Sequence, residues 1–408
     1  MLDPSRIVLS DPQFKADPYT VYAQLRAEAP VCRVSGMPRP MWLVTRYDDV
    51  LSVLKDERLA SSRTNAPAPD AGFVERLILG AYRLMLQNMV SSDEPDHARL
   101  RRLAQKAFSP RSIERLRGRI QSLTHELLDR LAGGSQWDMV ADYALPLPAT
   151  IIAEILGVPV SDRERLHRWL APLSGFGTGI TPVLKMTPGF RAAIRYIRSL
   201  IKLRRQEPQD DLISALVAEK EAGDLHTEDE LVSMILLLLA AGQDTTTNLI
   251  SSGTLALLEN PLEMEKLRAQ PHLIPLAVEE FARYCSPVDF ANVRWTRCDV
   301  TVGGVEIPKG ETVLAALISA NRDEAQFDHP EALDIAREPN RHVTFGPGIH
   351  HCLGAFLARM EAQIAFTTLM ERTSELRLAV SRHEVRLRPS LLLRGLESLP
   401  VQGQVVSR

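Results

Sequence analysis

The stretch Leu231 to Gly242, "LVSMILLLLAAG", restricts what this chain can fold into more than any other. A helix of this sequence is apolar or small on every face, so it must run through the protein interior. At twelve residues the run is too short to cross a bilayer, which takes roughly 20. Its start is marked by "HTEDEL", where Thr227 can cap the helix and Glu230 stands three residues on, as a capping box requires. The pattern predicts a helix over 228–259, and the rest of the chain has to wrap around it.

That helix carries an interruption. "AAGQDTTTN" follows the leucines and sets Gly242, Asp244, Thr245 and Thr246, all poor in a helix interior, at its middle. In one reading a threonine hydroxyl bonds the carbonyl one turn back and bends the helix, opening a polar gap in an apolar wall. Asp244 beside Thr245 would then pass protons to something bound there. In the other, the helix stops at Gly242 and Asp244 caps a second one.

Helical periodicity recurs over 18–29, 97–107, 112–132, 146–156, 161–171, 189–205, 210–222, 262–269 and 273–284. Strand signals are fewer. "PMWLVT" at 40–45 is one, "DVTVGGVEIPKGETVLAAL" reads as a hairpin turning at Gly303-Gly304 with a further strand after Lys309-Gly310, and 384–403 suits a small sheet. The fold class is therefore mainly α with minor β sheets, in one large domain over 1–408. Two irregular, apolar stretches, 61–92 and 172–190, are candidates for a lid or binding wall, or else plain connections over a core.

A net charge of −3, with 45% hydrophobic and 24% charged residues, lacks the basic excess of a nucleic-acid binder. Cys32, Cys285, Cys298 and Cys352 form no CxxC pair, which argues against a zinc cluster or disulfide framework and for a reducing compartment. The N-terminal "MLDPSRIVLSDPQFKADPYT" has acids and prolines where a secretion signal needs an apolar core. A cytoplasmic monomer without a membrane or nucleic-acid partner is expected.

Chemistry concentrates in "HVTFGPGIHHCLG", residues 342–354. Gly346, Gly348 and Gly354 let the backbone approach one atom closely, so that several N–H groups can converge on a sulfur. The apolar run after Cys352 reads as a helix, whose N-terminus favours a thiolate, the form of cysteine that binds metal. A buried, inert cysteine in a turn is the plainer alternative. Two further pairs stand out: Glu280 and Arg283 in "EEFAR", by spacing a solvated helix pair, and His97 and Arg101 in "DHARLRR", two cations on one face that repel unless an anion lies between them.

Taken together and in this order, the motifs resemble the cytochrome P-450 family. Phe345-Gly346-Pro347-Gly348-Ile349-His350-His351-Cys352-Leu353-Gly354 fits F-G-x-G-x-H-x-C-x-G, its haem-binding signature, and His97–Arg101, Ala241–Thr246 and Glu280–Arg283 match its other marks. The likeness runs from about residue 10 to the C-terminus and so implies a single haem-thiolate domain over 1–408 with no fused reductase or ferredoxin domain. It implies the cytochrome P-450 fold, haem b as cofactor, dioxygen as co-substrate and monooxygenase activity on a hydrophobic small molecule. Cys352 would ligate the iron, Phe345 would pack near the sulfur, and Ala241, Gly346 and Gly354 would lie against the haem. His97, Arg101, Arg294 and His350 would hold its propionates. Asp244 and Thr245 would be the acid–alcohol pair that delivers protons during oxygen activation, and Glu280–Arg283 a buried structural pair. Pro347, Gln243 and Leu333 depart from common usage without disturbing the match.

The same resemblance implies a pocket lined by Leu237, Ala240, Ala241, Val288, Phe290, Leu392 and Leu393, nearly all apolar, for a macrolide, terpenoid, steroid or fatty acyl chain. Electrons would come from a separate ferredoxin or flavodoxin with its NAD(P)H reductase. Its docking face would use Arg99, Arg102, Lys106, Arg111, Arg115, Arg117 and Arg119, with Arg341 and His351 near the cysteine loop. The rival readings are a peroxide-driven, coupling or desaturating haem-thiolate enzyme, and a non-catalytic haem sensor or scaffold.

Overall fold

The computed structural model describes residues 3–9, 11–35, 40–65, 84, 87–174 and 180–406. Its principal helices are α1 (Tyr19–Glu28), α2 (Asp96–Gln105), α3 (Pro146–Leu156), α4 (Val160–Ser174), α5 (Ile180–Gln206), α6 (Glu228–Glu259), α7 (Ile274–Cys285) and α8 (Ala355–Arg372). The helix α6 runs unbroken through "AAGQDTTTN", which decides between the two readings of that stretch. Tertiary burial outweighs poor local propensity here: α6 packs against α3, α7 and α8, and Leu231, Met234, Ile235 and Ile250 are fully enclosed. At its start Thr227 accepts from the Glu230 N–H (3.1 Å). The Glu230 carboxylate reaches the His226 N–H and Arg99 rather than the cap residue, so the box is only half formed.

The 172–190 stretch is not a loop beyond 175–179, which lie outside the described residues, as do 66–83 and 85–86 of the other expected wall. The helix α5 begins at Ile180 and carries Pro188 within it. Gly189 explains the composition: a Cβ there would sit 3.0 Å from the Trp169 carbonyl of α4, so the glycine serves a close helix crossing. The expected 112–132 helix is broken into Pro110–Glu114 and Arg117–Leu131. The segment Met139–Leu156 is apolar and long enough to cross a membrane by composition alone, but 56% of it is buried inside the fold, where α3 lies against α6.

Among the described residues ten short strands make three sheets, in chain order β1 (Val31–Val34), β2 (Met41–Val44), β3 (Leu59–Ala60), β4 (Gln136–Asp138), β5 (Arg294–Thr296), β6 (Val300–Val302), β7 (Val305–Ile307), β8 (Thr312–Ala315), β9 (Thr373–Leu378) and β10 (Pro400–Val405). The five-stranded sheet has the order β1-β2-β8-β5-β3, with β2 and β8 parallel and the other pairs antiparallel. Gly303 and Gly304, at φ +53° and +80°, turn the β6–β7 hairpin as "VGGV" predicts. Pairing Ala60 with Trp295 brings the residues after β3 beside Arg294, at the head of β5. That register sets one edge of the site described next.

Candidate active site

The loop 342–354 is shaped by backbone hydrogen bonds that only a glycine-rich segment can make. Gly346 and Gly348 sit at φ +65° and +75°, a region side chains strain to enter. The Cys352 N–H then donates to the Phe345 carbonyl (2.8 Å), and the His351 N–H donates to the Gly348 carbonyl (3.0 Å). Cys352 is left two residues before Gly354, the N-cap of α8, with its residue lining a cavity. Burial pushes its thiol pKa up, while the Gly354 N–H and the cations of Arg101 and Arg359 pull it down. A bound metal cation would complete that bias and hold the thiolate outright.

Across the cavity stands the middle of α6. The Thr245 hydroxyl donates to the Ala241 carbonyl (2.8 Å), the back-bond foreseen from sequence. Leu237, Ala241, Gly242, Thr245 and Thr246 face the cavity, with Val288 and Leu357 among the other walls. The cavity has a volume of about 190 Å³, and its walls are mostly apolar.

Not every expected residue reaches this space. Ala240, Phe290, Leu392 and Leu393 are not on the cavity wall. The bridge of Phe290 to Ala316 sends its ring into a separate core with Leu9, Tyr22 and Leu43. Leu393 bridges Val288, and Leu392 is exposed. Asp244 is buried and is not on the wall either; its Oδ1 lies 3.9 Å from Arg388 and 3.5 Å from the Gln243 amide.

At the edge of the cavity four cationic or titratable groups gather. His97 and His350 stack at 4.3 Å between ring centroids, and Arg101 shares the wall with them. Arg294 is buried nearby. The His97 Nε2 and Arg294 Nε atoms are buried without hydrogen-bond partners. Burial lowers the Arg294 pKa to about 10, against the pull of Asp93. Burial, then the charges of Arg294 and His97, push His350 down to about 3. Asp93 is occupied by the N–H groups of Ser61 and Ser62, by Asn65 and by Arg297. Glu94 meets the His97 Nδ1 (3.1 Å), whereas Arg101 and Arg294 have no ion pair among the described residues.

Comparison with known proteins supplies the context. A family model described as Cytochrome P450 matches residues 180–376. The chain is 45% identical to cytochrome P450 CYP107DY1 of Priestia megaterium over 89% of each chain. It is 40% identical to the mycinamicin IV hydroxylase/epoxidase of Micromonospora griseorubida, over 93% of this chain and 94% of that one. The solved structure of PksS, a cytochrome P450 of the Bacillus subtilis bacillaene polyketide synthase, superposes with a TM-score of 0.88 at 40% identity, covering 99% of this chain and all of the other. The chain belongs to the cytochrome P450 family. It is a monooxygenase whose cofactor is haem b and whose oxidant is dioxygen.

The residues present fit such a P450 cofactor. A haem brings two carboxylates, and the buried Arg294 Nε–H is a donor in want of an acceptor among the described residues. The sulfur of Cys352 is the soft ligand that iron takes in this class. Beside it lies a triad that the sequence reading had missed. Glu279 accepts from Arg359 (2.6 and 2.8 Å) and pairs with His342 (3.0 Å), while the Arg359 guanidinium lies 4.2 Å from the Phe345 ring centroid. The signal was Arg359, seven residues after Cys352 and in the second turn of α8. His342 thus anchors the start of the loop. Glu280 and Arg283 form a fully buried pair (2.7 and 2.6 Å), far from the solvated pair their spacing alone suggests.

Proposed function

We propose that this P450 inserts one oxygen atom from dioxygen into a C–H or C=C bond of a hydrophobic small molecule of macrolide, terpenoid, steroid or fatty acyl class. The observation that carries the reading is the placing of Cys352 and Thr245 on one apolar cavity with an unneutralised cationic edge. Cys352 would hold the iron, with Phe345 close to the sulfur and Ala241, Gly346 and Gly354 against the ring. His97, Arg101, Arg294 and His350 would take the propionates. When bound, the haem supplies the oxidising chemistry through its thiolate-ligated iron.

The protein's share is orientation, exclusion of water and proton supply. Leu237, Ala241, Val288 and Leu357 give a substrate little to hydrogen-bond, so shape and apolar burial orient it. The Thr245 hydroxyl, already committed to the Ala241 carbonyl, can accept from a water in the cavity and hold it there. Asp244, turned toward Arg388, delivers protons by way of such water rather than by direct contact with the cavity. The relative named for mycinamicin IV hydroxylation and epoxidation supports the macrolide option among the substrate classes. Electrons come from a separate ferredoxin or flavodoxin with its NAD(P)H reductase. Arg102, Lys106, Arg111 and Arg115 support its docking, since they are exposed and make no ion pair among the described residues. Arg99, Arg117 and Arg119, counted with them on sequence, are instead tied to acids.

The deciding experiment is the absorbance of the reduced, CO-bound protein. A red-shifted Soret band that Cys352→Ala abolishes is expected. A haem-loaded protein lacking that band would overturn the reading.

A further inference from the structure

A second cavity, sharing no wall residue with the first, lies between the C-terminal half of α6, the end of α7, the start of α1 and the segment 382–397. Its volume is about 710 Å³. Its charge is lopsided: Lys15, Arg322, Arg382, Arg386, Arg388 and Arg394 face only Glu259 and Glu397. Some of these cations are matched. Lys15 binds Asp289, Arg382 binds Glu259, and Arg388 has Asp244 at 3.9 Å. Arg322, Arg386 and Arg394 have no carboxylate ion pair among the described residues.

Two of those three are at the inner end. Arg322 and Arg394 are each only 8% exposed. Arg322 stacks 4.0 Å from the Tyr284 ring centroid and 4.4 Å from that of Tyr19, and one Nη donates to the Tyr284 carbonyl (3.0 Å). Its Nε–H is buried without an acceptor. Arg394 gives one Nη to the Lys15 carbonyl and lies 5.5 Å from the Tyr19 ring. Aromatic faces offset part of the cost of burying a guanidinium, but not the whole of it. A buried cation with a free donor, at the back of an open cavity rimmed by a further arginine, is arranged for an anion.

We propose that this cavity binds a multiply charged oxyanion, of the phosphate-ester class, on Arg322, Arg386 and Arg394. Three guanidiniums without a carboxylate ion pair among the described residues call for a charge of at least two, and their planar forks suit phosphate oxygens. The site stands one side chain from Asp244, because Arg388 belongs to its wall. The proposal is independent of the haem reading and is tested without turnover.

Titration calorimetry of the haem-loaded protein with inorganic pyrophosphate, and separately with phosphate, at low salt is the test. Saturable binding of one equivalent, tighter for pyrophosphate, is expected. Arg386→Glu, at an exposed position that the fold does not need, should weaken it tenfold or more, about 1.4 kcal/mol. Arg322→Gln should do the same, with the CO-bound spectrum checked for retained folding. No saturable binding of either anion would overturn the proposal. So would binding that Arg386→Glu leaves unchanged, since that would place it on another basic surface.

Discussion

Glu280 and Glu361 are buried glutamates on α7 and α8, helices packed against one another, and they solve the same problem in opposite ways. Glu280 is surrounded by donors: Arg283 and Arg337, the Asn340 amide and the Asp334 N–H all reach it. Arg283 in turn gives its remaining N–H groups to the carbonyls of Asn321, Pro330 and Ala332. Glu361 lies on the wall of the haem cavity, and neither carboxyl oxygen has a sound hydrogen bond. Burial drives its pKa well up, and only the nearby Thr246 hydroxyl opposes the shift. A buried carboxylate keeps its charge where the fold brings donors to it, and takes up a proton where it does not.

The largest effect should come from breaking the satisfied case. Glu280→Ala strands Arg283, which has no exposure, and should cost about 3–5 kcal/mol in urea unfolding of the holoprotein. A loss below about 1 kcal/mol would mean that the carbonyl contacts alone neutralise Arg283. Glu279 offers an intermediate case. Although burial opposes it, Arg359 and then His342 bring its pKa from 4.5 to about 2. A depressed carboxylate stabilises the fold above its unfolded pKa and loses that contribution as pH falls toward the folded value. Glu279→Gln should therefore cost about 2 kcal/mol at pH 7 and clearly less at pH 3. An equal cost at both pH values would show a packing defect instead.

Glu361 should respond least, and with the opposite sign. Its folded form prefers the proton, so it detracts from stability as pH rises above the unfolded value of 4.5. Glu361→Gln keeps the shape and removes the titration. Thermal unfolding of the haem-loaded protein should show a gain in stability at pH 8 and almost none at pH 4. A loss at pH 8 would mean that the carboxylate is charged and matched in the folded protein.

Local chemistry was the part of this molecule most open to reading from sequence. The α6 run, the Gly303-Gly304 turn and the signature around Cys352 each depend on neighbours in the chain, and each formed where expected. Long-range placement was harder. "TPGF" around Pro188 looked like a break because a helix crossing that needs Gly189 cannot be seen without Trp169. Phe290 looked like a pocket residue, but its bridge to Ala316 turns it into another core. Spacing alone reads Glu280–Arg283 as a solvated pair, because spacing carries no burial; it was the family resemblance that implied a buried one. Glu361 drew no notice at all, since one acid among the alanines of α8 is an ordinary surface pattern until the packing of that helix is known.

Gly242 carries one more implication. A Cβ on it would lie 2.8 Å from the Ile152 side chain, and both residues line the haem cavity. The outline of the reaction chamber is thus partly drawn by α3, a helix with no part in the cysteine loop or the cationic edge. Drift at position 152 alone can reshape what fits, and which carbon is presented, without disturbing a single group that holds the cofactor. Selectivity and catalytic competence are in that sense separately inheritable in this chain.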